Sequence, residues 1–279
     1  MRRAAVVLLL VASQPMLACR PPAPLSPAGL DAVAIFEQAR AAHRLPDSLS
    51  CDAKAFVEAP EQGGRYPLHL AARRPASLRI EALTPLGDPA AVLVADHGRF
   101  ALLDLRNNVF YRGPSTPENL ARLLPAPLRD DELVALLLGG IPELPGAEPI
   151  SAVREGGNLR LVLSTVPPGT TTLRGVSQEV LLGGDLRVLE VRRLLAAGSA
   201  GSGGSGAEPA ARTEVLWSVK LDEHDDSSGQ ELPRLLQLEV PARKTRIDLQ
   251  LRNLLVGKPP PAGAFLLGPP KGMQLVDLP

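Results

Sequence analysis

The chain has 279 residues with 30 basic and 30 acidic side chains, and this balance argues against the basic face that a nucleic-acid-binding protein needs. Hydrophobic residues make up 45% of the chain but aromatic residues only 3%, so the interior must consist mostly of Leu, Val and Ala. We therefore expect a sizeable aliphatic core and no nucleic-acid partner.

The first residues have the pattern of an export signal. Arg2 and Arg3 precede an apolar run from Ala4 to Ala12, which is about half of the roughly 20 residues that a membrane-spanning helix requires. The segment closes with Met16-Leu17-Ala18-Cys19, which resembles the lipobox of bacterial lipoproteins. The pattern therefore favours a cleaved signal over a spanning helix.

We expect a signal peptide over residues 1–18 and a lipidated, proline-rich tether over residues 19–28. In a lipoprotein the thiol and the new amino terminus of the cysteine, here Cys19, are acylated, with palmitate among the chains. Acyl chains contribute about 0.8 kcal/mol per buried methylene, so two or three of them hold a protein on a membrane. The alternative is an ordinary secretory signal in which Cys19 is incidental.

The spacing of apolar residues predicts a helix over Gly29 to His43, and from Leu49 the period changes from helical to alternating. Strands follow in two runs, from Cys51 to Arg112 and from Ile150 to Leu254, with short turns that predict successive hairpins. Phe265 to Leu267 is expected to add a final edge strand.

Residues 198–206 consist of glycine, serine and one alanine, which predicts a flexible loop inside a hairpin. Strand patterns of similar length flank this loop on both sides, so it does not mark a domain boundary. We therefore expect residues 29–279 to form a single domain.

Two helices lie between the two runs of strands. Ser115-Thr116-Pro117-Glu118 has the residues of a capped helix start. Asp130 or Asp131 is expected to cap a second helix over Glu132 to Leu138, which Gly139-Gly140 ends. The second helix has little polar surface, so both of its sides should touch apolar groups.

These elements predict an α+β, mainly β fold with one strongly curled antiparallel sheet of about eleven strands and helices over one face. Twist accumulates from strand to strand, so a sheet of this length is expected to curl. Curled over helices with aliphatic contact faces, the sheet would enclose a hydrophobic cavity.

No catalytic or metal-binding pattern stands out. The four histidines lack a second histidine or cysteine at metal-ligand spacing, and the chain has neither a Gly-x-Ser-x-Gly elbow nor a Gly-rich phosphate loop after a strand. The acidic residues from Asp222 to Asp226 predict a solvated turn, with calcium binding as the alternative. Cys51 is interpreted as a small buried side chain. We expect no enzyme activity, no catalytic residue, no metal and no cofactor.

Pro75 to Gly87, which ends in Thr84-Pro85-Leu86-Gly87, resembles the strand and loop of the LolA/LolB-like family of outer-membrane lipoproteins. The features that follow come in the same order as in that family: the hairpin from Asp96 to Leu105, then Phe110-Tyr111, then Leu133 to Pro142. The similarity is closest to LolB, the receptor that accepts other lipoproteins from the periplasmic carrier LolA, and to related uncharacterised lipoproteins. The later strands match only in pattern.

This resemblance implies a half-open β-barrel that holds acyl chains in an apolar cavity under an α-helical lid. It also implies membrane insertion by Leu86, since the matching leucine of LolB is exposed and helps to deliver bound lipid into the bilayer. Pro85 and Gly87 make a tight turn, and a leucine at a turn tip has no core to enter, so it can dip into lipid. The alternative is that Leu86 packs back on its own hairpin.

Strand alternation and helical phase select the candidate cavity residues. The expected cavity wall is Leu78, Ile80, Leu93, Leu103, Leu161 and Trp217. The expected lid is Leu120, Leu123, Leu133, Leu136 and Leu137.

The resemblance implies a lipid-anchored protein of the cell outer membrane, facing the periplasm, that binds acyl chains and helps to insert lipoproteins. Its implied partners are the acyl chains of lipoproteins or other lipids, the outer membrane and a periplasmic LolA-like carrier, and we expect a monomer. Arg20 stands where an aspartate would signal inner-membrane retention, which favours the outer membrane. A scaffolding lipoprotein with a filled cavity and a carrier or sensor of another envelope lipid are the alternatives.

Overall fold

The structure is a computed structural model, and it describes residues 30–42, 44–60, 63–166, 175–196, 213–226 and 231–279. The expected signal peptide at 1–18, the lipidation site Cys19, the tether at 19–28 and the Gly/Ser loop at 198–206 lie outside the described residues.

The described chain runs through one helix, six strands, two helices and eight strands, in the order of elements that the apolar spacing predicts. The helices are α1 (Ala32–Ala42), α2 (Pro117–Leu120) and α3 (Asp130–Leu137), and a short 3-10 turn spans Pro241–Arg243. The strands are β1 (Ser48–Glu58), β2 (Gly64–Arg73), β3 (Ser77–Leu83), β4 (Pro89–Asp96), β5 (Arg99–Asp104), β6 (Val109–Pro114), β7 (Glu148–Glu155), β8 (Asn158–Ser164), β9 (Gly175–Leu182), β10 (Val188–Ala196), β11 (Thr213–Asp222), β12 (Leu235–Val240), β13 (Thr245–Val256) and β14 (Gln274–Asp277).

The fourteen strands of the described chain form one sheet in the order β14-β6-β5-β4-β3-β2-β1-β13-β12-β11-β10-β9-β8-β7. Neighbouring strands pair antiparallel except β14 and β6, which run parallel. The mainly β class is confirmed, but the predicted count of about eleven strands is wrong.

The expectation of a strongly curled, half-open barrel is also wrong, because the sheet is neither closed nor strongly curled. The sequence argument assumed that accumulated twist forces a long sheet to curl. Open sheets of about 8 to 15 strands nevertheless occur in proteins. Here helices cover one face, and β14 and β7 form the two edges.

The connection between β6 and β7 explains why helices cover one face. β6 lies beside one edge of the sheet and β7 is the opposite edge, so residues 115–147 have to cross the sheet. This crossing segment carries α2 and α3, and α3 contacts β2 and β3. On the same face α1 buries Ala32, Ile35 and Ala39 against β7 and β8. The main hydrophobic core therefore lies between the sheet and these helices.

The ends of the two crossing helices are set by specific hydrogen bonds. The Thr116 hydroxyl accepts a hydrogen bond from the Asn119 backbone N–H at 3.3 Å, so Thr116 caps α2 as its sequence pattern predicts. At α3 the predicted cap is wrong: the cap residue is Arg129, whose backbone N–H donates to the Glu132 carboxylate at 2.8 Å. Asp130 instead begins the first helical turn.

No helix in the described part of the chain has the length and apolar character to span a bilayer.

The carboxyl-terminal segment, residues 257–279, covers the outer face of the sheet at β4, β5 and β6. Phe265 is buried there in a second hydrophobic cluster with Val92, Val94, Leu103 and Phe110. The predicted edge strand at Phe265–Leu267 is therefore wrong. This stretch covers the sheet instead of extending it, and β14 pairs with β6 further along the chain.

Two arginines of the sheet fix this segment in place. The Arg79 guanidinium donates a hydrogen bond to the Ala264 carbonyl at 3.0 Å. The Arg73 guanidinium carbon lies 4.7 Å from the centroid of the Phe265 ring, within the range of a cation–π interaction.

We predict that Phe265→Ala lowers the free energy of unfolding by about 3 kcal/mol, because it removes the ring that fills the outer cluster. Urea denaturation followed by circular dichroism measures the loss. The matched control is Leu266→Ala, since Leu266 is 75% exposed. Its effect should stay within about 0.5 kcal/mol. Equal effects for both variants would contradict the assignment of Phe265 to the core.

An apolar cavity under helix α3

A small apolar cavity of about 60 Å³ lies between the sheet and α3. Every residue that lines it is aliphatic, so the lining offers no side-chain hydrogen-bonding group. The lining residues are Leu68, Leu70, Leu78, Ile80, Leu124, Leu128, Leu133, Leu136, Leu137, Val219, Leu236, Leu238, Ile247 and Leu249.

The sheet side of the cavity is formed by strands on both sides of β1. Ala53 of β1 pairs with Leu68 of β2, and Ala55 pairs with Leu249 of β13. Both alanines are buried but line no part of the cavity. The short side chains of β1 thus leave a trough in the middle of the sheet, and longer aliphatic side chains of the flanking strands close over it.

The opposite side of the cavity is formed by the crossing segment. Leu133, Leu136 and Leu137 project from α3 at helical spacing, and Leu124 and Leu128 precede the helix. Gly139 has a positive φ of 76°, and its N–H donates to the Leu136 carbonyl at 3.0 Å, which ends the helix. The cavity is therefore covered by one short helix and the turn before it.

A buried ion pair attaches the start of α3 to the sheet. The Arg193 guanidinium of β10 lies 2.9 Å from the Glu132 carboxylate of α3. Their side chains are only 7% and 3% exposed, respectively. Glu132 also accepts the Arg129 N–H described above, so its two oxygens serve both the helix cap and the ion pair.

Further groups hold Arg193 in a defined position. Its guanidinium donates to the Gln178 side-chain oxygen at 2.7 Å and lies 5.0 Å from the centroid of the Trp217 ring. The Gln178 amide in turn donates to the Pro142 carbonyl at 2.9 Å. Burial lowers the pKa of Arg193, while the neighbouring Glu132 carboxylate opposes that change. This polar cluster ties the start of α3 and the stretch that follows the helix to β9, β10 and β11.

The residues predicted for the cavity wall occupy three kinds of position. Leu78 and Ile80 line the cavity. Leu93, Leu161 and Trp217 are buried in the main core beside it but do not line it. Leu103 is the exception, because it packs in the outer cluster under the carboxyl-terminal segment. Its assignment to the cavity wall is wrong: in β5 the alternation places Phe100 and Leu102 on the helix-covered face.

The residues predicted for the lid are divided in the same way. Leu133, Leu136 and Leu137 line the cavity, whereas Leu120 is buried in the core and Leu123 packs against it without reaching the cavity.

Some lining residues were not selected from the sequence. Leu68 and Leu70 lie on either side of His69 in β2, so strand period alone could have found them. Ile247 and Leu249 have the same signal in β13. The sequence did not reveal that β13 lies beside β1, since this pairing joins distant parts of the chain.

Leu86 lies at the tip of the turn between β3 and β4 and is 91% exposed. The turn is closed by the Thr84 N–H, which donates to the Asp88 carbonyl at 2.7 Å. Gly87 has a φ of 94°, a conformation that favours glycine. Leu86 therefore does not pack on its own hairpin, and its insertion into a membrane stays a prediction.

Cys51 is buried in β1, and burial, followed by the charge of Asp52, raises the pKa of its thiol to about 12. The thiol is therefore protonated at neutral pH, whereas a nucleophilic cysteine requires the thiolate.

No protein-family model matches this sequence, and no curated protein matches it. Several solved structures nevertheless share its fold. A domain described as an outer membrane lipoprotein-sorting protein from Vibrio parahaemolyticus is 9% identical, with a TM-score of 0.56, over 84% of this chain and 95% of its own.

Two further structures are similar to the same extent. A LolA superfamily protein from Nitrosomonas europaea is 11% identical, with a TM-score of 0.54, over 85% of this chain and 97% of its own. A DUF1329 family protein from Desulfovibrio piger is 10% identical, with a TM-score of 0.55, over 84% and 95% of the two chains. The chain thus has the LolA-like fold, and the resemblance predicted from the sequence is confirmed as a likeness of fold.

We predict that Glu132→Gln lowers the free energy of unfolding by about 3 to 5 kcal/mol, because it leaves the Arg193 charge buried without its carboxylate. Urea denaturation measures this change. The control is Glu155→Gln, since Glu155 is 57% exposed where it pairs with Arg160. That variant should lose less than about 1 kcal/mol. A neutral Glu132→Gln would contradict the role given to the buried pair.

Proposed function

We propose that this protein binds acyl chains in the cavity under α3 and helps to insert lipoproteins into the outer membrane, to which it is anchored through Cys19. The observation that carries the proposal is the cavity itself, whose lining is wholly aliphatic. The LolA-like fold supports it, since one protein of this fold is described as a lipoprotein-sorting protein.

An aliphatic lining suits an acyl chain for a physical reason. Each methylene transferred from water into such a site contributes about 0.8 kcal/mol without any directional bond. Binding therefore depends on chain length and tolerates differences in chain identity. The proposal needs no catalytic group, metal or cofactor, and the protein acts as a carrier and not as an enzyme.

The size of the cavity implies that α3 moves when a chain binds. Small-molecule sites occupy roughly 300 Å³ or more, whereas this cavity measures about 60 Å³. We therefore interpret the structure as a closed form in which leucines of α3 fill most of the acyl site. For α3 to move away from the sheet, either Glu132 has to separate from Arg193 or β10 has to move with the helix. The buried pair therefore sets the free-energy cost of opening the cavity.

Leu86 supplies the proposed contact with the membrane. Its side chain projects into solvent from a turn that is fixed by backbone hydrogen bonds. Burial of a leucine side chain in lipid stabilises the contact by about 1.5 to 3 kcal/mol. Such a contact holds the protein at the bilayer while cargo leaves the cavity. A periplasmic LolA-like carrier is the proposed donor of the cargo, and the protein is proposed to work as a monomer.

A structural role is the second candidate, and the small cavity volume favours it. If aliphatic side chains fill the space permanently, the protein is a scaffold in the envelope that carries no lipid. The two candidates differ in whether acyl chains enter.

We predict that Leu86→Glu still binds a fluorescent triacylated lipopeptide but transfers it to phospholipid vesicles about ten- to a hundredfold more slowly, because the membrane contact of one leucine is lost. Full-length protein carrying Cys19→Ser, and so lacking the lipid anchor, is loaded with the lipopeptide and mixed with vesicles, and transfer is followed by fluorescence. The control is Leu266→Glu, which changes a second exposed leucine on the carboxyl-terminal segment.

Normal transfer by Leu86→Glu would contradict the role of Leu86. If the protein with Leu86 intact takes up neither the lipopeptide nor any other acyl probe, the carrier function is contradicted and the scaffold is favoured.

A further inference from the structure

A second pocket, of about 290 Å³, lies just beyond the carboxyl end of α3. Leu138 and Gly139 line this pocket, directly after Leu137, which lines the apolar cavity. On the sheet side Leu232 lines the pocket, and Leu236 lines the cavity. Two separate segments of the chain therefore contribute residues to both spaces, and the two compartments are neighbours.

The two compartments differ in chemistry. The cavity lining is aliphatic, whereas the pocket presents two guanidinium groups, an imidazole and a carboxylate: Arg44, Arg187, His224 and Glu231. The pocket volume is close to the lower bound of small-molecule sites, roughly 300 Å³. The pair of compartments thus matches an amphiphile, with apolar chains in one space and a polar head in the other.

Charges of both signs meet at Arg187. Its guanidinium lies 2.5 Å from the Glu231 carboxylate. On its other side the Arg187 Nε atom is 3.5 Å from the Asp185 carboxylate, and this buried atom makes no hydrogen bond among the described residues. Burial and the Arg187 charge lower the pKa of His224, so its imidazole is neutral at pH 7 and adds a hydrogen-bonding group without a charge. The pocket therefore holds an adjacent cation and anion, and Arg44 adds a second guanidinium to its lining.

An adjacent cation and anion suit a ligand that carries the same two charges. A phosphate ester can take the place of Glu231 on the Arg187 guanidinium, since guanidinium groups bind phosphate oxygens in a two-pronged geometry. An ammonium group can then take the place of Arg187 on the Glu231 carboxylate. In this exchange both charges of the pair, whose side chains are 39% and 32% exposed, keep a partner of opposite sign. A head group that carries only a phosphate would separate Glu231 from Arg187 and bring no cation in its place.

We propose that this pocket binds the zwitterionic head group of an aminophospholipid, a phosphate ester joined to a primary ammonium, while its acyl chains occupy the apolar cavity. The inference rests on the acyl binding of the proposed function and adds an aminophospholipid to the lipoproteins as a ligand of the apolar cavity.

The test uses the full-length Cys19→Ser protein and four ligands, with binding measured by native mass spectrometry and competition for a fluorescent acyl probe. The ligands are dioleoyl phosphatidylethanolamine, dioleoyl phosphatidylglycerol, dioleoylglycerol and glycerophosphoethanolamine, which has the head group without chains. We expect phosphatidylethanolamine to bind at least about tenfold more tightly than the other three, a ratio that one charge-assisted hydrogen bond supports.

Arg187→Gln and Glu231→Gln should each lower the affinity for phosphatidylethanolamine to that for dioleoylglycerol. Neither change should alter the affinity for dioleoylglycerol itself. The control is Arg246→Gln, which changes an arginine that is paired with Asp248 on a different part of the surface. It should leave the affinity for all four ligands unchanged.

Equal binding of the three diacyl ligands, unaffected by Arg187→Gln, would overturn the head-group site and leave the acyl-binding function standing. Equally tight binding of phosphatidylglycerol would overturn the zwitterionic assignment. Tight binding of glycerophosphoethanolamine alone would identify a site for a soluble phosphate ester and overturn the lipid assignment. Failure of every diacyl ligand and of the acyl probe to bind would overturn the proposed function and this inference together.

Discussion

The buried pair of Glu132 and Arg193 is the constraint on which the arrangement of the site depends. α3 is only eight residues long, and a helix of this length is not stable alone in water. Its leucines supply apolar contact with the sheet, but apolar contact has no direction. The ion pair, with Gln178 and Trp217 around Arg193, fixes where the helix begins and which side faces the sheet. The position of the cavity follows from that attachment.

The topology of the sheet explains why a covering helix exists at all. The first half of the chain forms one part of the sheet and the second half forms the other, and β1 and β13 join them in the middle. The connection from β6 to β7 joins the two halves across one face. On the opposite face the carboxyl-terminal segment covers β4, β5 and β6 through Phe265, so these strands are buried on both sides. The outer face of the strands from the second half of the chain carries exposed charged side chains such as Lys220 and Arg246.

Local patterns in the sequence predicted much of this fold, but they did not predict the contacts between residues that are distant in sequence. Alternation placed Leu78 and Ile80 on the cavity face, and helical phase did the same for Leu133, Leu136 and Leu137. Leu103 was placed on the wrong face, because a strand covered on both faces is apolar at successive positions and alternation no longer identifies a face. The partners Glu132 and Arg193 are distant in sequence, and neither has a local signal for burial. The second pocket also combines residues from distant turns.

The most direct test of the central claim, that the cavity under α3 is an acyl site, is native mass spectrometry of the full-length Cys19→Ser protein purified from a bacterial periplasm. We expect a bound lipid mass that organic extraction removes. Leu70→Phe, which projects a larger ring into the cavity, should bind roughly tenfold more weakly, since the ring displaces about two methylenes at about 0.8 kcal/mol each. A lipid-free protein that takes up no acyl chain, or undiminished binding by Leu70→Phe, would contradict the account.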